Sequence, residues 1–343
     1  MPSGIKWTFL FGFFLASPGY SADIEPARLG QESFISRAAV FHSQLWMLTD
    51  AGLLSSIAEG GGQQVAIPLP EPAFDLWTQD GEPAVLTGGR DSQSWTLRQW
   101  SHGEWKATAA LSVHEGERFV GVACSEGTVL VLTSSRLIEI VGGHQRIVAL
   151  DWPSKPLAGI TSITATRGNL LVGFNIGEWG GGLRRIDRAS GQISIVESKS
   201  ANSICGGPLN TDCDPVNGIA VEPWNPSCAV IAIGLVHFMA HGSIVEVCGN
   251  TISRLYSTEY GNDHHSTVPF FGIATVDTNL WAVGIDGIYR IAHDGVTKVS
   301  ALPDFQQIGN VSVSFAVPRV VLVRTNVNKR RSVSGSAPMI VAR

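Results

Sequence analysis

Residues that could carry out acid–base chemistry are concentrated in the middle of the chain. Glu178 stands beside Trp179, and a carboxyl group buried against an aromatic ring can have a raised pKa suited to general acid or base catalysis. His237 and His264 are the imidazoles that could act with it. The alternative for Glu178 is an exposed loop carboxylate, and we prefer that interpretation.

The same region offers ligands for a divalent metal. One carboxylate, one amide and two imidazoles from different segments are the candidates: Glu178, Asn217, His237 and His264. His237 and His241 are four residues apart, which places two side chains on one face of a helix but not of a hairpin. In the cluster Asp263 to His265, adjacent side chains of an extended chain point opposite ways, so at most two could share a ligand. We therefore predict no cofactor, and we keep a bound divalent metal as the alternative.

The glycine run Gly180 to Gly182 is not a phosphate-binding loop. A P-loop requires a GK[ST] sequence and a following helix, whereas here an apolar strand pattern follows the glycines. These glycines predict positive φ angles and a close approach of two chain segments. Similarly, "NTDCD" (Asn210 to Asp214) lacks the glycine and closing glutamate of an EF-hand loop, and predicts an ordered turn.

Residues 1–21 have the features of a secretory signal peptide. An apolar run from Trp7 to Ala16 follows a cation, and Gly19 and Ser21 are small residues at the spacing that a signal peptidase recognises. We expect the mature domain, 22–343, to be periplasmic or secreted. We also expect no membrane span in it, because no later segment has about 18 uninterrupted apolar residues.

The composition argues against nucleic-acid partners. The chain has 343 residues, 15% of them charged, and a formal net charge of −5. Neutralising phosphates requires clustered Lys and Arg. The one basic cluster, Asn328 to Ser332, is surrounded by polar residues and is typical of a solvated loop.

The five cysteines suit an oxidising compartment. Cys205 and Cys213 flank a short polar segment, and Cys228 and Cys248 bracket an apolar hairpin. Zinc would require CxxC or nearby histidines at regular spacing, and neither is present. We therefore expect the disulfides Cys205–Cys213 and Cys228–Cys248, with Cys124 packed as a small hydrophobic residue.

A repeated hairpin indicates which elements position these residues. "LWMLTDAGLL" from Leu45 and "LWAVGIDGIY" from Leu280 share a Trp that is followed six residues later by Gly. "VLVLTSSRLIEI" from Val129 has the same frame, with Leu130 in place of Trp. Each unit predicts a strand, a tight turn and a second strand, and a short apolar strand precedes it. Units of about 40 to 50 residues with up to four strands are typical of a β-propeller.

We therefore predict an all-β fold, a single β-propeller. We expect seven blades, with six and eight as the alternatives. The segment Asp23 to Leu29 is expected to add a strand to the last blade and close the ring, which leaves no open sheet edge. We expect the domain to be a monomer.

The repeats resemble those of the two-component-regulator propeller family, whose units have the pattern "LWxGTxxGLYRxD". "LWAVGIDGIYRIAHDG" (Leu280 to Gly295) is similar to that pattern, and "GGGLRRIDRASG" (Gly180 to Gly191) repeats its second half. The resemblance covers about four blades and implies a propeller fold. In that family such propellers are extracytoplasmic sensor modules joined to a membrane helix and a kinase. Neither is expected in this chain, so the signalling role does not carry over.

Two of the repeats are enlarged. Eleven residues, instead of six, separate Leu171 from Gly182 in blade 4 and Ile231 from Gly242 in blade 5, which predicts a longer loop between the second and third strands of each blade. In a propeller such loops share a face with the connections between blades, and two long connections, 200–217 and 257–269, adjoin them. We expect a ligand-binding face around blades 4–6. It would carry Asn175, Glu178, Trp179, Asp214, Asn217, His237, His241, Asp263, His264 and His265.

Two functions fit this face. The first is an extracytoplasmic binding module that presents the loops to a protein, peptide or glycan. The second is a metal-dependent lyase or lactonase-like hydrolase, because some propeller enzymes of these groups hold a divalent ion near the central channel. We favour the binding module, because the candidate ligands do not repeat at equivalent blade positions and a fold alone does not establish a function.

Overall fold

The computed structural model describes residues 35–58, 62–89, 93–125, 127–152, 159–237, 240–261, 263–302, 311–316, 319–325 and 336–342. The expected signal peptide and the expected closing segment, Asp23 to Leu29, lie outside these residues. The described chain consists of antiparallel strands, with one 3₁₀ turn at Gly177–Trp179. No helix in this part of the chain is long and apolar enough to cross a lipid bilayer.

Consecutive strands pair into radial sheets, the blades. Blade 1 consists of β1 (Ile35–Phe41), β2 (Gln44–Thr49), β3 (Leu54–Ala58) and β4 (Val65–Ile67). Blade 2 consists of β5 (Ala73–Gln79), β6 (Glu82–Thr87), β7 (Ser94–Ser101) and β8 (Glu104–Ser112). Blade 3 consists of β9 (Phe119–Ser125), β10 (Thr128–Thr133), β11 (Arg136–Val141) and β12 (His144–Ala149).

The second half of the chain repeats this arrangement. Blade 4 consists of β13 (Ile160–Thr166), β14 (Asn169–Asn175), β15 (Gly181–Asp187) and β16 (Ile193–Val196). Blade 5 consists of β17 (Val216–Val221), β18 (Cys228–Val236), β19 (Ala240–Cys248) and β20 (Thr251–Tyr256). A two-stranded hairpin, β21 (Glu259–Tyr260) and β22 (Asp263–Thr267), precedes blade 6. Blade 6 consists of β23 (Phe270–Val276), β24 (Asn279–Gly284), β25 (Gly287–Ala292) and β26 (Gly295–Ala301).

The described residues form six four-stranded blades, so the all-β single propeller is confirmed, the expected count of seven is wrong, and the alternative of six is the observed number. The remaining strands, β27 (Val311–Ala316), β28 (Arg319–Thr325) and β29 (Ser336–Ala342), form a three-stranded terminal sheet. β1 packs against β27 and β28, so the first and last sheets are neighbours. The described residues after blade 6 provide three strands, one fewer than a complete blade contains.

The place of a strand within its blade decides how much of it is buried. In blade 3 the side chains of Leu130, Val131 and Leu132 on β10 are fully buried, whereas the first four residues of β12 are exposed. The inner strands lie between two neighbouring blades and have no face toward water, so they are apolar on both sides. A continuous run such as "VLVLT" therefore marks the second strand of a blade.

The repeat frame in the sequence corresponds to one position in the fold. Trp46, Leu130 and Trp281 are each the third residue of the second strand in their blade. Trp46 is 5% exposed and packs edge-on against Trp100 and Trp105, with ring centroids 5.6 and 6.2 Å away. These repeated side chains fill the space between adjacent blades.

Apolar clusters between neighbouring blades hold the middle of the ring together. Leu183, Ile231 and Val245 belong to the cluster between blades 4 and 5. Phe270 and Tyr289 belong to the cluster between blades 5 and 6. Burying such side chains stabilises each contact by about 1.5–3 kcal/mol per residue. The strand ends that carry the loops of these blades are therefore held in fixed positions.

A buried ion pair ties the start of blade 3 to its third strand. Glu117 accepts hydrogen bonds from Nε of Arg136 at 2.8 Å and from the hydroxyl of Thr133 at 2.6 Å. The side chains of Arg136 and Glu117 are 7% and 1% exposed. Burial alone would raise the pKa of Glu117, but the hydrogen bonds from Arg136, the backbone of His114 and Thr133 lower that pKa to about 2.

Candidate functional site

The loop between β14 and β15, residues 176–180, is a compact turn fixed by hydrogen bonds. Asn175 ends β14, and its Oδ1 accepts from the backbone N–H of Gly177 at 2.8 Å. The N–H of Gly180 donates to the carbonyl of Gly177 at 3.1 Å. The turn leaves Trp179 73% exposed. An aromatic side chain is thus presented to solvent from a rigid base.

The glycine run lets this loop lie directly against the connection between blades 4 and 5. Gly180, Gly181 and Gly182 have φ angles of 71°, 131° and 70°, which glycine adopts without strain. The N–H of Gly181 donates to the carbonyl of Thr211, and that of Gly182 to the carbonyl of Asp214, both at 3.0 Å. A Cβ at Gly182 would lie 2.4 Å from Cγ2 of Thr211. Positive φ and close approach, as predicted, explain the three glycines.

The insertion in blade 5 lengthens strands instead of a loop, which corrects the expectation for this blade. β18 and β19 have nine residues each, against six in β24 and β25. Val236 pairs with Ala240, so the turn consists of 237–239, of which 238 and 239 lie outside the described residues. The longer ladder pairs backbone groups that a loop would leave to water.

Two glycines let the long hairpin of blade 5 pack against the connection to blade 6. A Cβ at Gly234 would lie 2.4 Å from backbone atoms of Phe270, and one at Gly242 would lie 2.4 Å from Cα of Pro269. The hydroxyl of Thr267, at the end of β22, accepts from the N–H of Gly242 at 2.9 Å. The long hairpin of blade 5 is therefore in contact, at Gly234 and Gly242, with the segment that leads into blade 6.

Glu178 and His237 lie at the tips of adjacent hairpins and form an ion pair. Oε2 of Glu178 is 2.9 Å from Nδ1 of His237. Their side chains are 49% and 46% exposed, so Glu178 is a loop carboxylate and not a buried acid. An exposed pair of this kind contributes about 0–1 kcal/mol. Its main effect is to fix the two tips relative to each other.

Asp214 and His241 form a second carboxylate–imidazole contact, and its carboxylate is buried. Oδ1 of Asp214 is 2.8 Å from Nε2 of His241, and the side chains are 5% and 44% exposed, respectively. Oδ2 of Asp214 accepts from the N–H of Asn210 at 2.7 Å. A carboxylate that binds one ring nitrogen fixes the orientation of an imidazole and leaves the second nitrogen for a further partner.

The connection between blades 4 and 5 is an ordered turn around Asn210. This side chain is buried, and its Nδ2 donates to the carbonyl of Ile204 at 2.8 Å while its Oδ1 accepts from the N–H of Asp212 at 3.0 Å. The disulfide Cys205–Cys213 closes the same turn. "NTDCD" thus satisfies its own backbone groups, as expected of a turn.

Asn175 and Asn217 join blades 4, 5 and 6 below these tips. Nδ2 of Asn175 donates to Oδ1 of Asn217 at 2.6 Å. Nδ2 of Asn217 donates to the carbonyls of Gly234 at 2.7 Å and Phe270 at 2.8 Å. Both ends of the Asn217 amide are therefore occupied by hydrogen bonds that hold the blades together.

The four candidate metal ligands divide into two groups. Glu178 and His237 contact each other, whereas the oxygen of Asn217 already accepts a hydrogen bond from a neighbouring amide. His264 lies on β22 with Asp263, and the side chains of both fall outside the described residues. His265 is exposed on the same strand. Among the candidate metal ligands whose side chains the structure describes, Glu178 and His237 are therefore the pair in ion-pair contact.

A cluster of charges lies beside the glycine run. Nζ of Lys199 is 2.8 Å from Oδ2 of Asp212 and 3.1 Å from Oε2 of Glu197. The hydrogen bonds to Asp212 and Glu197 raise the pKa of Lys199. A hydrogen bond from Thr211 lowers the pKa of Glu197. Both shifts favour the charged forms of Lys199 and Glu197, so this surface carries charges of both signs.

Both expected disulfides are present, and Cys124 differs from expectation. Cys228 and Cys248 are directly paired across β18 and β19, with their Cα atoms 4.4 Å apart. Cys124 is exposed on β9 instead of packed as a small hydrophobic residue. Gly121 and Ala123 are buried on one side of that first strand, and position 124 falls on the other, less covered side.

Sequence reasoning missed a polar cluster at the other end of the blade 5 hairpin. Glu222 is 2% exposed, follows β17 directly and is hydrogen-bonded to Glu246 on β19. Burial, followed by the contact with Glu246, raises the pKa of Glu222 to about 7. The available signal was a glutamate, Glu246, inside the otherwise apolar strand "SIVEV".

These features define the protein as a β-propeller with interlocked loops around blades 4–6. No protein-family profile matches the chain, and no curated protein sequence matches it. Solved structures share the fold. The extracellular domain of a protein described as a hybrid two-component system of B. thetaiotaomicron matches with a TM-score of 0.51 and 13% identity, over 85% of this chain and 37% of that chain. The WD40 domain of Neurospora crassa Pan2 matches with a TM-score of 0.52 and 12% identity, over 84% of this chain and 86% of that chain.

The resemblance of the repeats to sensor propellers is thus confirmed at the level of the fold. The chain spans about 37% of the length of the B. thetaiotaomicron structure. At 12–13% identity the likeness extends to the fold alone.

Proposed function

We propose that the chain is an extracytoplasmic interaction module that acts as a monomer. Its binding surface is the blade 4–6 rim, defined here as residues 176–180, 197–215, 237–241 and 257–269. The partner is a protein, peptide or glycan. This function requires a rigid base and exposed recognition side chains, and it requires no catalytic group.

The observation that carries the proposal is the exposure of Trp179 on a loop held by hydrogen bonds. Trp179 is 73% exposed, and the residues that follow it are bonded to Thr211 and Asp214. Exposing a tryptophan to water is unfavourable, and tryptophans are enriched among the residues that dominate binding energies. Because the loop is already ordered, binding would cost little conformational entropy.

Contacts between the four segments support a single surface. The pair Glu178–His237 joins the tips of blades 4 and 5, and the pair Asp214–His241 joins the blade connection to β19. Thr267 joins β22 to the same hairpin. Charged, aromatic and imidazole groups thus occur together, as in the mixed surfaces of non-obligate interfaces.

A location outside the cytoplasm is part of the proposal. Two disulfides are stable in oxidising compartments and rare in the cytosol. A signal peptide at residues 1–21 would direct the chain there. We also propose that Asp23 to Leu29 supplies the fourth strand of the terminal sheet, since that sheet has three strands and adjoins β1.

A screen of the purified mature chain against a glycan array and a displayed peptide library tests the function. The best ligand is then titrated against the wild type, Trp179→Ala and Ile147→Ala. Ile147 is a matched control, since it is 49% exposed on the outer strand of blade 3. We expect a loss of at least about tenfold for Trp179→Ala and a change within about twofold for Ile147→Ala. Equal binding by all three proteins, or a screen without a ligand, would overturn the proposal.

A further inference from the structure

A polar cluster of Glu222, Cys228, Glu246 and Cys248 lies at the end of blade 5 that is remote from the blade 4–6 rim. Cys228 begins β18 and Cys248 ends β19, eight residues along each strand from the turn at Val236 and Ala240. At about 3.3 Å per residue this places the cluster roughly 26 Å from that turn. It is therefore separate from the proposed binding surface.

Strand pairing places four potential ligands on one face of the sheet. Ala220 pairs with Val230 and Val230 with Glu246, so these side chains share a face. The next row on that face is formed by Glu222, Cys228 and Cys248. A carboxylate oxygen and both sulfurs of this row lie within 4.8 Å of one another.

The surroundings of this row are built as metal sites usually are. Nδ2 of Asn225 donates to Sγ of Cys228 at 2.9 Å. The side chain of Trp224 forms a hydrogen bond with Glu222, and the hydroxyl of Ser253 donates to Oε2 of Glu246 at 3.2 Å. Such outer contacts orient ligands and stabilise the charge on sulfur and carboxylate.

We propose that reduction of the Cys228–Cys248 disulfide converts this cluster into a binding site for a divalent cation of the zinc class. The two thiolates and the Glu222 carboxylate supply three ligands, and Glu246 supplies the fourth. Zinc prefers four such ligands in a tetrahedron, whose corners lie roughly 3.3–3.8 Å apart. To reach that arrangement, the two sulfurs, which are bonded to each other in the oxidised protein, must separate after reduction. The carboxylate of Glu246, which is hydrogen-bonded to Glu222, must turn toward them. The site is absent from the oxidised protein, because sulfurs joined to each other are poor ligands.

The chemistry balances with a dithiol reductant. A dithiol transfers two electrons to the disulfide, becomes a cyclic disulfide itself, and leaves Cys228 and Cys248 as thiols. Zn²⁺ then replaces the two thiol protons and the proton that the hydrogen-bonded carboxyl groups of Glu222 and Glu246 share, and all three protons pass to solvent. The charge of the metal offsets the two thiolates in a buried position where unpaired negative charges would be costly.

Cobalt spectroscopy on the mature protein tests the inference directly. The protein is reduced with a phosphine, the reductant is removed without oxygen, and Co²⁺ alone is added, followed by Zn²⁺ as competitor. We expect one Co²⁺ per chain with a thiolate-to-metal charge-transfer band and tetrahedral d–d bands, both lost on addition of Zn²⁺. The oxidised protein should show neither band. Identical spectra from the two forms, or a reduced protein that loses its β-sheet circular dichroism and binds no metal, would overturn the proposal.

Variants distinguish this site from the second disulfide and from surface acids. Cys205→Ser/Cys213→Ser should keep the cobalt spectrum, and Glu222→Gln should weaken Co²⁺ binding at least about tenfold. Glu104→Gln is the matched control, because Glu104 is a glutamate on β8 whose side chain is 68% exposed. A spectrum that disappears with Cys205 and Cys213, or that Glu222→Gln leaves unchanged, would refute the assignment.

Discussion

The carboxylate of Asp214 binds both the connection between blades 4 and 5 and the long hairpin of blade 5. Its Oδ1 is 2.8 Å from Nε2 of His241 on β19, and its Oδ2 accepts from the N–H of Asn210 at 2.7 Å. One buried side chain therefore ties the connection from blade 4 to the long hairpin. The imidazole of His241 is 44% exposed and can bind water instead of Asp214. Asn210 is buried, so its N–H has Asp214 as its acceptor.

Asp214→Ala should lower the free energy of unfolding by about 1–3 kcal/mol, because it leaves the buried N–H of Asn210 without its acceptor. His241→Ala should cost less than about 1 kcal/mol, since the imidazole is 44% exposed and water can take its place beside Asp214. Urea denaturation of both variants measures the difference. Equal losses in the two variants would show that the backbone contact is unimportant.

Gly182→Ala should destabilise the protein more than Gly81→Ala. Both glycines have positive φ angles, 70° and 81°, so both substitutions carry a backbone cost of roughly 1 kcal/mol. A Cβ at Gly182 would also lie 2.4 Å from Thr211, whereas nothing lies within 4 Å of one at Gly81. We expect an additional loss of about 1–3 kcal/mol at Gly182, measured by thermal unfolding. Equal melting temperatures would contradict the close packing of the loop.

The pair Glu117–Arg136 should make stability fall in acid. The folded-state pKa of Glu117 is about 2, below its ordinary value of 4.5, so its contribution is fully present above pH 4.5 and is lost as the pH falls toward 2. Glu117→Gln should lose on the order of 3–5 kcal/mol at pH 7, because Arg136 stays buried without a counter-charge.

Denaturation at pH 7 and at pH 2.5 tests this dependence. The difference in stability between the two pH values should be smaller in Glu117→Gln than in the wild type. Glu104→Gln is the control, because Glu104 is 68% exposed and its ion pair with Lys106 is 3.7 Å long. A variant with the same pH dependence as the wild type would exclude Glu117 as the responsible group.

Replacing Cys205 and Cys213 by Ser should cost roughly 2–3 kcal/mol, as expected for a short loop that is closed in the unfolded chain. Cys124→Ser should change stability by less than about 0.5 kcal/mol, because Cys124 is exposed. Chemical denaturation of the variants, with peptide mapping of the unreduced protein, checks both statements. A peptide that links Cys228 to Cys205 would show that the pairing is wrong.

The sequence predicted the propeller because its blades repeat a local pattern. Trp46, Leu130 and Trp281 mark one position in three blades, and an aliphatic residue follows each of them seven positions later. The blade count was wrong because the last described strands form a sheet of three, and strand number in a sheet depends on pairing partners distant in sequence. Closure of the ring by Asp23 to Leu29 likewise depends on pairing between segments distant in sequence, and it stays a prediction.

Loop contacts were predicted less completely than the strands. The length of the insertions indicated that Glu178 and His237 belong to neighbouring hairpins, but not that the blade 5 insertion would extend the ladder to Val236. Glu222 and Cys228 were separated by a proline-containing turn, and only the register of β17 and β18 brings them side by side. Such proximity across strands cannot be read from spacing along one chain.

Gly180, Gly181 and Gly182 pack directly against residues 211–214. This part of the surface therefore consists of backbone, and a larger side chain at any of the three positions would not fit. Chains related by descent would then diversify what they contact at positions 178 and 179, while the glycines beneath stay invariant. Binding specificity among such relatives would change by substitution of residues 178 and 179, while the backbone of the glycine segment stays the same.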